Sequence, residues 1–199
     1  LKAVGIPYRT TTITALDHAG YYPGAEPITM KITFDPDTGR VFGGQAVGVH
    51  GVDKRIDVIA MAVQARMTIE QISLSQLTYS PPFGSARDVV NIAGLASRNQ
   101  RDGLIRPSFD VKEATGQLID VRTPDNSKEG DIPNSIGLTH VQAADKEKAA
   151  SVLDQDTQYN AVCDWGKTAY FASRSLLKEG YNVNTVVGGW RVQKARDSK

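Results

Sequence analysis

Apolar and polar residues alternate from Ile28 to Phe34, the period-two rhythm of a strand with one buried face. Asp35-Pro36-Asp37-Thr38-Gly39-Arg40 then supplies turn chemistry, and Val41 to Val47 reads as a second strand. Gly43-Gly44 inside it signals a bulge or a close backbone approach. Val52, Ile56, Ile59 and Val63 recur at helical spacing, which predicts a helix from about Lys54 to Met67 with that stripe toward the core. Thr68-Ile69-Glu70-Gln71 has the form of a capping box opening a short second helix. After Tyr79-Ser80-Pro81-Pro82 a third helix is expected from Ser85 to about Ala96. These elements predict an α+β domain, an antiparallel sheet with helices on one face.

Ser97-Arg98-Asn99-Gln100-Arg101-Asp102-Gly103 is charged and polar without apolar rhythm, and the domain boundary is expected there, between residues 1–97 and residues 103–199. The later half has a different grammar. Gln117-Leu118-Ile119-Asp120-Val121 and Asn160-Ala161-Val162-Cys163 read as short buried strands. A helix from about Thr168 to Glu179 follows, with Ala169, Ala172, Leu176 and Leu177 as its apolar stripe and Gly180 at the stop position. Asn182 to Val187 gives a third strand. Strand, helix, strand in this order implies a right-handed parallel crossover, so this half is expected to be an α/β domain with a parallel sheet.

Composition narrows the classes. Of 199 residues, 40% are hydrophobic and 23% charged, as in an ordinary globular protein, and a formal net charge of +1 gives no reason to expect nucleic acid or an anionic membrane as partner. No apolar run approaches the roughly 20 residues of a membrane helix. The start, Leu1-Lys2-Ala3-Val4-Gly5, is neither an initiator methionine nor a signal peptide, and suggests a piece of a longer protein. Cys163 is the only cysteine, which excludes an internal disulfide and favours a reducing, cytoplasmic setting. No metal site is expected, because His18, His50 and His140 do not stand at ligand spacing.

The chemistry gathers at Cys163, where a buried strand ends and a helix begins, the edge at which open parallel sheets bind ligands. In Asp164-Trp165-Gly166-Lys167-Thr168 the glycine lets the backbone curl, so that successive N–H groups and the helix start can stabilise sulfur as an anion, with Lys167 assisting. The alternative is an inert buried thiol. A cysteine-dependent phosphatase would need arginine six positions after the cysteine, and that position holds Ala169. Asp120 and Arg122 can pair to pin adjacent loops or act directly, and Trp165 can be a lid over the sulfur or loop packing.

Leu118-Ile119-Asp120-Val121-Arg122, Gly130-Asp131-Ile132-Pro133-Asn134-Ser135, the six-residue loop Cys163 to Thr168 and Gly188-Gly189-Trp190 occur in the order of four rhodanese motifs, and the half from about 103 to 197 resembles that sulfurtransferase family. The resemblance implies that Cys163 carries a persulfide between donor and acceptor, with Asp164, Trp165, Gly166, Lys167 and Thr168 forming the substrate-binding loop. Asp131 and Asn134 stand where the second motif has histidine and glycine. Asp164 stands where a basic residue is frequent, and Thr168 where many thiosulfate-using members have arginine. These departures favour a persulfide or polysulfide over thiosulfate as donor.

In the first half, His18-Ala19-Gly20-Tyr21-Tyr22-Pro23-Gly24-Ala25 and Leu77-Thr78-Tyr79-Ser80-Pro81-Pro82-Phe83-Gly84 are dense in aromatic, proline and glycine residues, as loops that present side chains would be. Their tyrosines can donate to a thiolate or simply pack. With Gly51-Val52-Asp53-Lys54-Arg55-Ile56-Asp57 and Asp88-Val89-Val90-Asn91-Ile92-Ala93-Gly94, they resemble the carboxy-terminal dimerisation domain of coenzyme A disulfide reductases. That resemblance implies a homodimer in which two tyrosines, Tyr79 and one of the Tyr21-Tyr22 pair, with spacing favouring Tyr21, reach the partner's redox cysteine. It also implies FAD and NAD(P)H in the parent protein, on domains expected ahead of Leu1, and coenzyme A or another thiol or persulfide as substrate. No Gly-x-Gly-x-x-Gly opens a βαβ unit, so neither cofactor is expected in this chain itself. The expected parent is therefore a coenzyme A disulfide, persulfide or polysulfide reductase. Two rivals stand beside it: a non-catalytic dimerisation and sulfur-binding module, and an NADH oxidase or peroxidase relative.

Overall fold

The computed structural model describes residues 1–112, 114–125 and 132–197. The chain divides into two compact units, Leu1–Asp102 and Gly103–Lys199.

The first unit is a three-stranded antiparallel sheet, β1 (Arg9–Leu16), β2 (Pro27–Phe34) and β3 (Val41–Val47), in that order across the sheet. On β2, Ile28, Met30, Ile32 and Phe34 are fully buried and the residues between them only half-buried. Burying each such side chain contributes about 1.5–3 kcal/mol. Helices α1 (Val52–Gln64), α2 (Ile69–Leu74) and α3 (Val89–Arg101) supply the rest of that core, among them Ile59, Ala62, Ile69, Ile72, Val89, Val90 and Ala93. Two capping boxes start α2 and α3: Thr68 with Gln71, and Asp88 with Asn91.

Several details depart from expectation. The sequence reading lacked β1: Arg9-Thr10-Thr11-Thr12-Ile13-Thr14 has no apolar alternation, and only its β-branched composition marks it as strand. The third helix begins at Asp88's cap rather than Ser85 and runs on to Arg101, so most of the polar stretch expected to mark the domain boundary is helical. Ser97 there is fully buried and returns its hydroxyl to Ala93 O at 2.8 Å, while Arg101 reaches Glu70. Ile56 is only half-buried; Arg55 takes the core-facing place beside Ile59. The Gly43-Gly44 signal has two sources. The β2–β3 register shifts beside Gly43 so that Phe42 is extra, and a Cβ on Gly44 would lie 3.1 Å from both Ile59 Cγ2 and Lys31 O.

The second unit is a five-stranded parallel sheet, ordered β4 (Pro107–Ser108), β8 (Asn182–Val186), β7 (Gln158–Val162), β5 (Gln117–Asp120), β6 (Ser135–Gly137). Both faces are covered, as parallel sheets require. Ile119, Ala161 and Val183 pack with residues of α4 (His140–Ala144), α5 (Lys146–Ala150) and α6 (Lys167–Lys178). Val162 and Val186 pack with Ile132, and Trp190 of α7 (Gly189–Asp197) joins them. Along α6, Ala169, Ala172 and Leu176 are fully buried and Leu177 packs at the margin. The helix closes with Gly180 N–H donating to Leu177 O at 3.2 Å and Tyr181 N–H to Leu176 O at 3.1 Å, a Schellman pair. Gly130 and Asp131 lie outside the described residues, but Asn134 takes a left-handed φ of 57°, which asparagine tolerates better than most residues.

Leu176→Ala would leave a hole between sheet and helix. The expected loss is about 2–5 kcal/mol in equilibrium denaturant unfolding.

Candidate functional site

Strand β7 ends at Val162 and delivers Cys163 to the edge of the sheet. Gly166, the residue that starts α6, adopts φ 92° and has no side chain with which to cap the helix. The first-turn N–H groups of a helix lack intrahelical acceptors and must find others. Here the sulfur takes that place. Cys163 Sγ accepts from Gly166 N–H at 3.2 Å and from Ala169 N–H at 3.3 Å. The residue itself is only 3% exposed.

A second helix start closes on the same loop. In α7, Trp190 N–H donates to Cys163 O at 2.7 Å and Arg191 N–H to Asp164 O at 3.2 Å. This approach is possible only because residue 189 is glycine: a Cβ there, at φ 67°, would lie 2.3 Å from Cys163 O and 2.4 Å from Asp164 O. The Gly188-Gly189-Trp190 motif is thus the clamp that holds the sulfur-bearing loop.

Around this loop the candidate residues divide. Arg122, buried just beyond β5, donates to Asp120 through Nε at 2.9 and 3.1 Å and through Nη2 at 2.7 Å. Its Nη1 stands 3.5 Å from Asp164 Oδ1. Hydrogen bonding to Asp120, against the opposing effect of burial, raises the Arg122 pKa, so its charge is permanent. Asp164 therefore faces a buried cation, a neighbour that its position in the sequence did not announce. Trp165 is at the surface with the Arg191 guanidinium 4.5 Å above its ring, Lys167 is exposed and Thr168 half-buried. Among the described residues no group of three or more His, Cys, Asp or Glu gathers as a metal site would, and no helix is long and apolar enough to cross a membrane.

In the first unit, Tyr21 and Tyr79, 58 residues apart, bring their hydroxyls to 2.7 Å. Both are exposed, at 76% and 48%. The hydrogen bond to Tyr79 raises the Tyr21 pKa. Tyr22 turns the other way and meets His18 edge to face, ring centroids 5.8 Å apart. Asp17 fixes the base of this loop: its carboxylate accepts from Glu26 N–H at 2.9 Å and lies 2.9 Å from His18 Nδ1. Burial pushes the Asp17 pKa up, but the Glu26 amide and His18 pull it below the usual value. The residue that sequence reasoning missed is Arg55, buried at 2% and paired with Asp88. An arginine standing in register with Ile59 and Ala62 was the available signal.

Residues 1–89 match the family described as pyridine nucleotide-disulphide oxidoreductase, dimerisation domain, and residues 108–195 match the rhodanese-like domain. The chain is similar to the reduced Bacillus anthracis CoADR-RHD, with 37% identity, a TM-score of 0.88, and 97% of this chain and 35% of that one covered. It is also similar to an NAD-dependent persulfide reductase from A. fulgidus, with 32% identity, a TM-score of 0.85, and 96% and 34% covered. The coenzyme A disulfide reductase of Staphylococcus haemolyticus is 36% identical over 92 residues, 46% of this chain and 21% of that protein. The chain thus spans about a third of these solved relatives and about a fifth of the curated ones.

Two outcomes are expected from this geometry. Gly189→Ala should destabilise the second unit by at least about 1–3 kcal/mol in thermal or denaturant unfolding, the cost of a non-glycine residue in strained backbone, before the clash is counted. Because the Asp17 pKa is lower folded than unfolded, its contribution is complete above about pH 4 and disappears as pH falls through the folded value. Urea midpoints of Asp17→Asn should accordingly fall less steeply than wild type in acid. The chain joins a pyridine nucleotide-disulphide oxidoreductase dimerisation domain to a rhodanese-like domain, and is homologous to the carboxy-terminal region of coenzyme A disulfide reductases.

Proposed function

We propose that this chain is the dimerisation and sulfur-carrying region of a coenzyme A disulfide, persulfide or polysulfide reductase, and that Cys163 carries the sulfur. The observation that carries the reading is the pair of main-chain N–H groups that donate to Cys163 Sγ and fix it at the edge of the parallel sheet. The thiolate would attack the outer sulfur of a persulfide R–S–SH. An Sγ–S bond forms as the RS–SH bond of the donor breaks, its electron pair leaves with the thiolate R–S⁻, and the proton stays on the new Cys163 persulfide. Attack by an acceptor thiolate on that outer sulfur then releases it and restores Cys163. The same two amides serve both halves of the cycle, since Cys163 begins and ends it as thiolate. Asp164, Trp165, Gly166, Lys167 and Thr168 would shape the entry, while Asp120 and Arg122 hold the loop from behind. With Asp164 facing Arg122 and no cation at position 168, a persulfide or polysulfide suits the loop better than the dianion thiosulfate.

The family of the first unit implies FAD and a pyridine nucleotide. Among the described residues no cradle for either is formed. The sheet of the first unit is antiparallel, and the α6 start in the second donates first-turn amides to sulfur rather than to a phosphate. Both cofactors would be held elsewhere in the parent enzyme. Tyr21 and Tyr79 would act on a partner subunit's redox centre within a homodimer, in a reducing cytoplasmic setting that keeps a lone thiol active.

A second reading, a non-catalytic sulfur-binding module, draws on the 3% exposure of Cys163. Sulfur transfer from glutathione persulfide to cyanide separates the two. Cys163→Ser is expected to fall to the uncatalysed background while the wild-type chain turns over. Equal rates would remove Cys163 from the chemistry and favour the module.

A further inference from the structure

Tyr21 and Tyr79 are both exposed, Tyr79 by about half, so their own packing does little to fix them, yet their hydroxyls meet at 2.7 Å. Each hydroxyl lies at the end of a long side chain, and a shift of about 1 Å in either loop would open the contact beyond hydrogen-bond distance. What fixes the loops is the start of α1. The buried Arg55 guanidinium donates through Nη1 to Gly51 O at 2.9 Å, through Nη2 to Asp17 O, and through Nη2 and Nε to Asp88 at 2.8 and 3.1 Å. Asp17 lies four residues before Tyr21, and Asp88 caps α3 just after the Tyr79 loop. The neighbouring Lys54 donates through Nζ to Phe83 O at 2.6 Å, four residues after Tyr79. Between these two anchors, Ala19 N–H donates to Gly84 O at 3.1 Å and ties one loop to the other.

We propose that Lys54 and Arg55, consecutive residues in the first turn of α1, are positioning residues that clamp the two loops so that the Tyr21 and Tyr79 hydroxyls meet. The inference rests on the reading of these tyrosines as a working pair. Arginine suits the buried position because one planar fork reaches a carboxylate and two carbonyls in different segments, which a lysine ammonium cannot span. Lysine suits the exposed position, where a single carbonyl is the target.

The test is tyrosinate ionisation of this chain, followed by ultraviolet absorbance. The Tyr79 contact raises the Tyr21 pKa, so a late-ionising component is expected from this pair, and Tyr79→Phe identifies it by deleting it. Lys54→Met, at an exposed position, is expected to lose the late component with circular dichroism unchanged. Arg55→Lys should lose it too, with a lowered melting temperature but intact circular dichroism. A merely structural arginine would lower stability and leave the titration alone. Retention of the wild-type titration by Lys54→Met, or by folded Arg55→Lys, overturns the proposal. The titration reads only the mutual geometry of the phenols, so failure of the clamp and failure of their role at a redox centre are separate results.

Discussion

The loop at Cys163 is held between two helix starts, and everything chemical about the second unit depends on that constraint. Helix α6 begins on a glycine without a capping side chain, so its first-turn donors turn to the sulfur. Helix α7 begins on a glycine whose missing Cβ lets its own first-turn donors reach the loop carbonyls. Sulfur and carbonyls are thereby satisfied by amides that would otherwise be orphaned. Capping and site-building are one set of hydrogen bonds.

Each unit also contains one buried guanidinium with a similar mechanical task. Arg55 joins Asp88, Gly51 and the Asp17 carbonyl; Arg122 joins Asp120 and Asp164. Neither pair is a simple gain in stability, since desolvating a charge offsets much of its Coulomb attraction. What the fork contributes is geometry: it fixes the relative positions of chain segments that carry exposed or reactive side chains.

Much of this was legible from residues alone. The alternation at Ile28–Phe34, the capping box at Thr68 and the stripe on α6 are local signals, and local physics decided them. The four motifs of the second half were visible as motifs, but what Gly188-Gly189 does was not, because a clash between residues 189 and 163 exists only in three dimensions. Strand β1 escaped because its threonines carry no apolar rhythm and it is defined by pairing with β2. The polar run from Ser97 to Arg101 carries no apolar rhythm and yet is helical: Ser97 is buried with its hydroxyl satisfied inside the helix, and Arg101 is paired across to α2. The burial of Arg55 and the company Asp164 keeps likewise depend on partners distant in sequence.

The account stands or falls on whether the sulfur in this amide cradle accepts and holds another sulfur atom. Intact-mass spectrometry after exposure of the chain to glutathione persulfide and removal of excess donor measures this directly. The account predicts one added sulfur, mapped to Cys163 and discharged by cyanide as thiocyanate. A chain that keeps its unmodified mass, under conditions in which free cysteine is persulfidated, would contradict it.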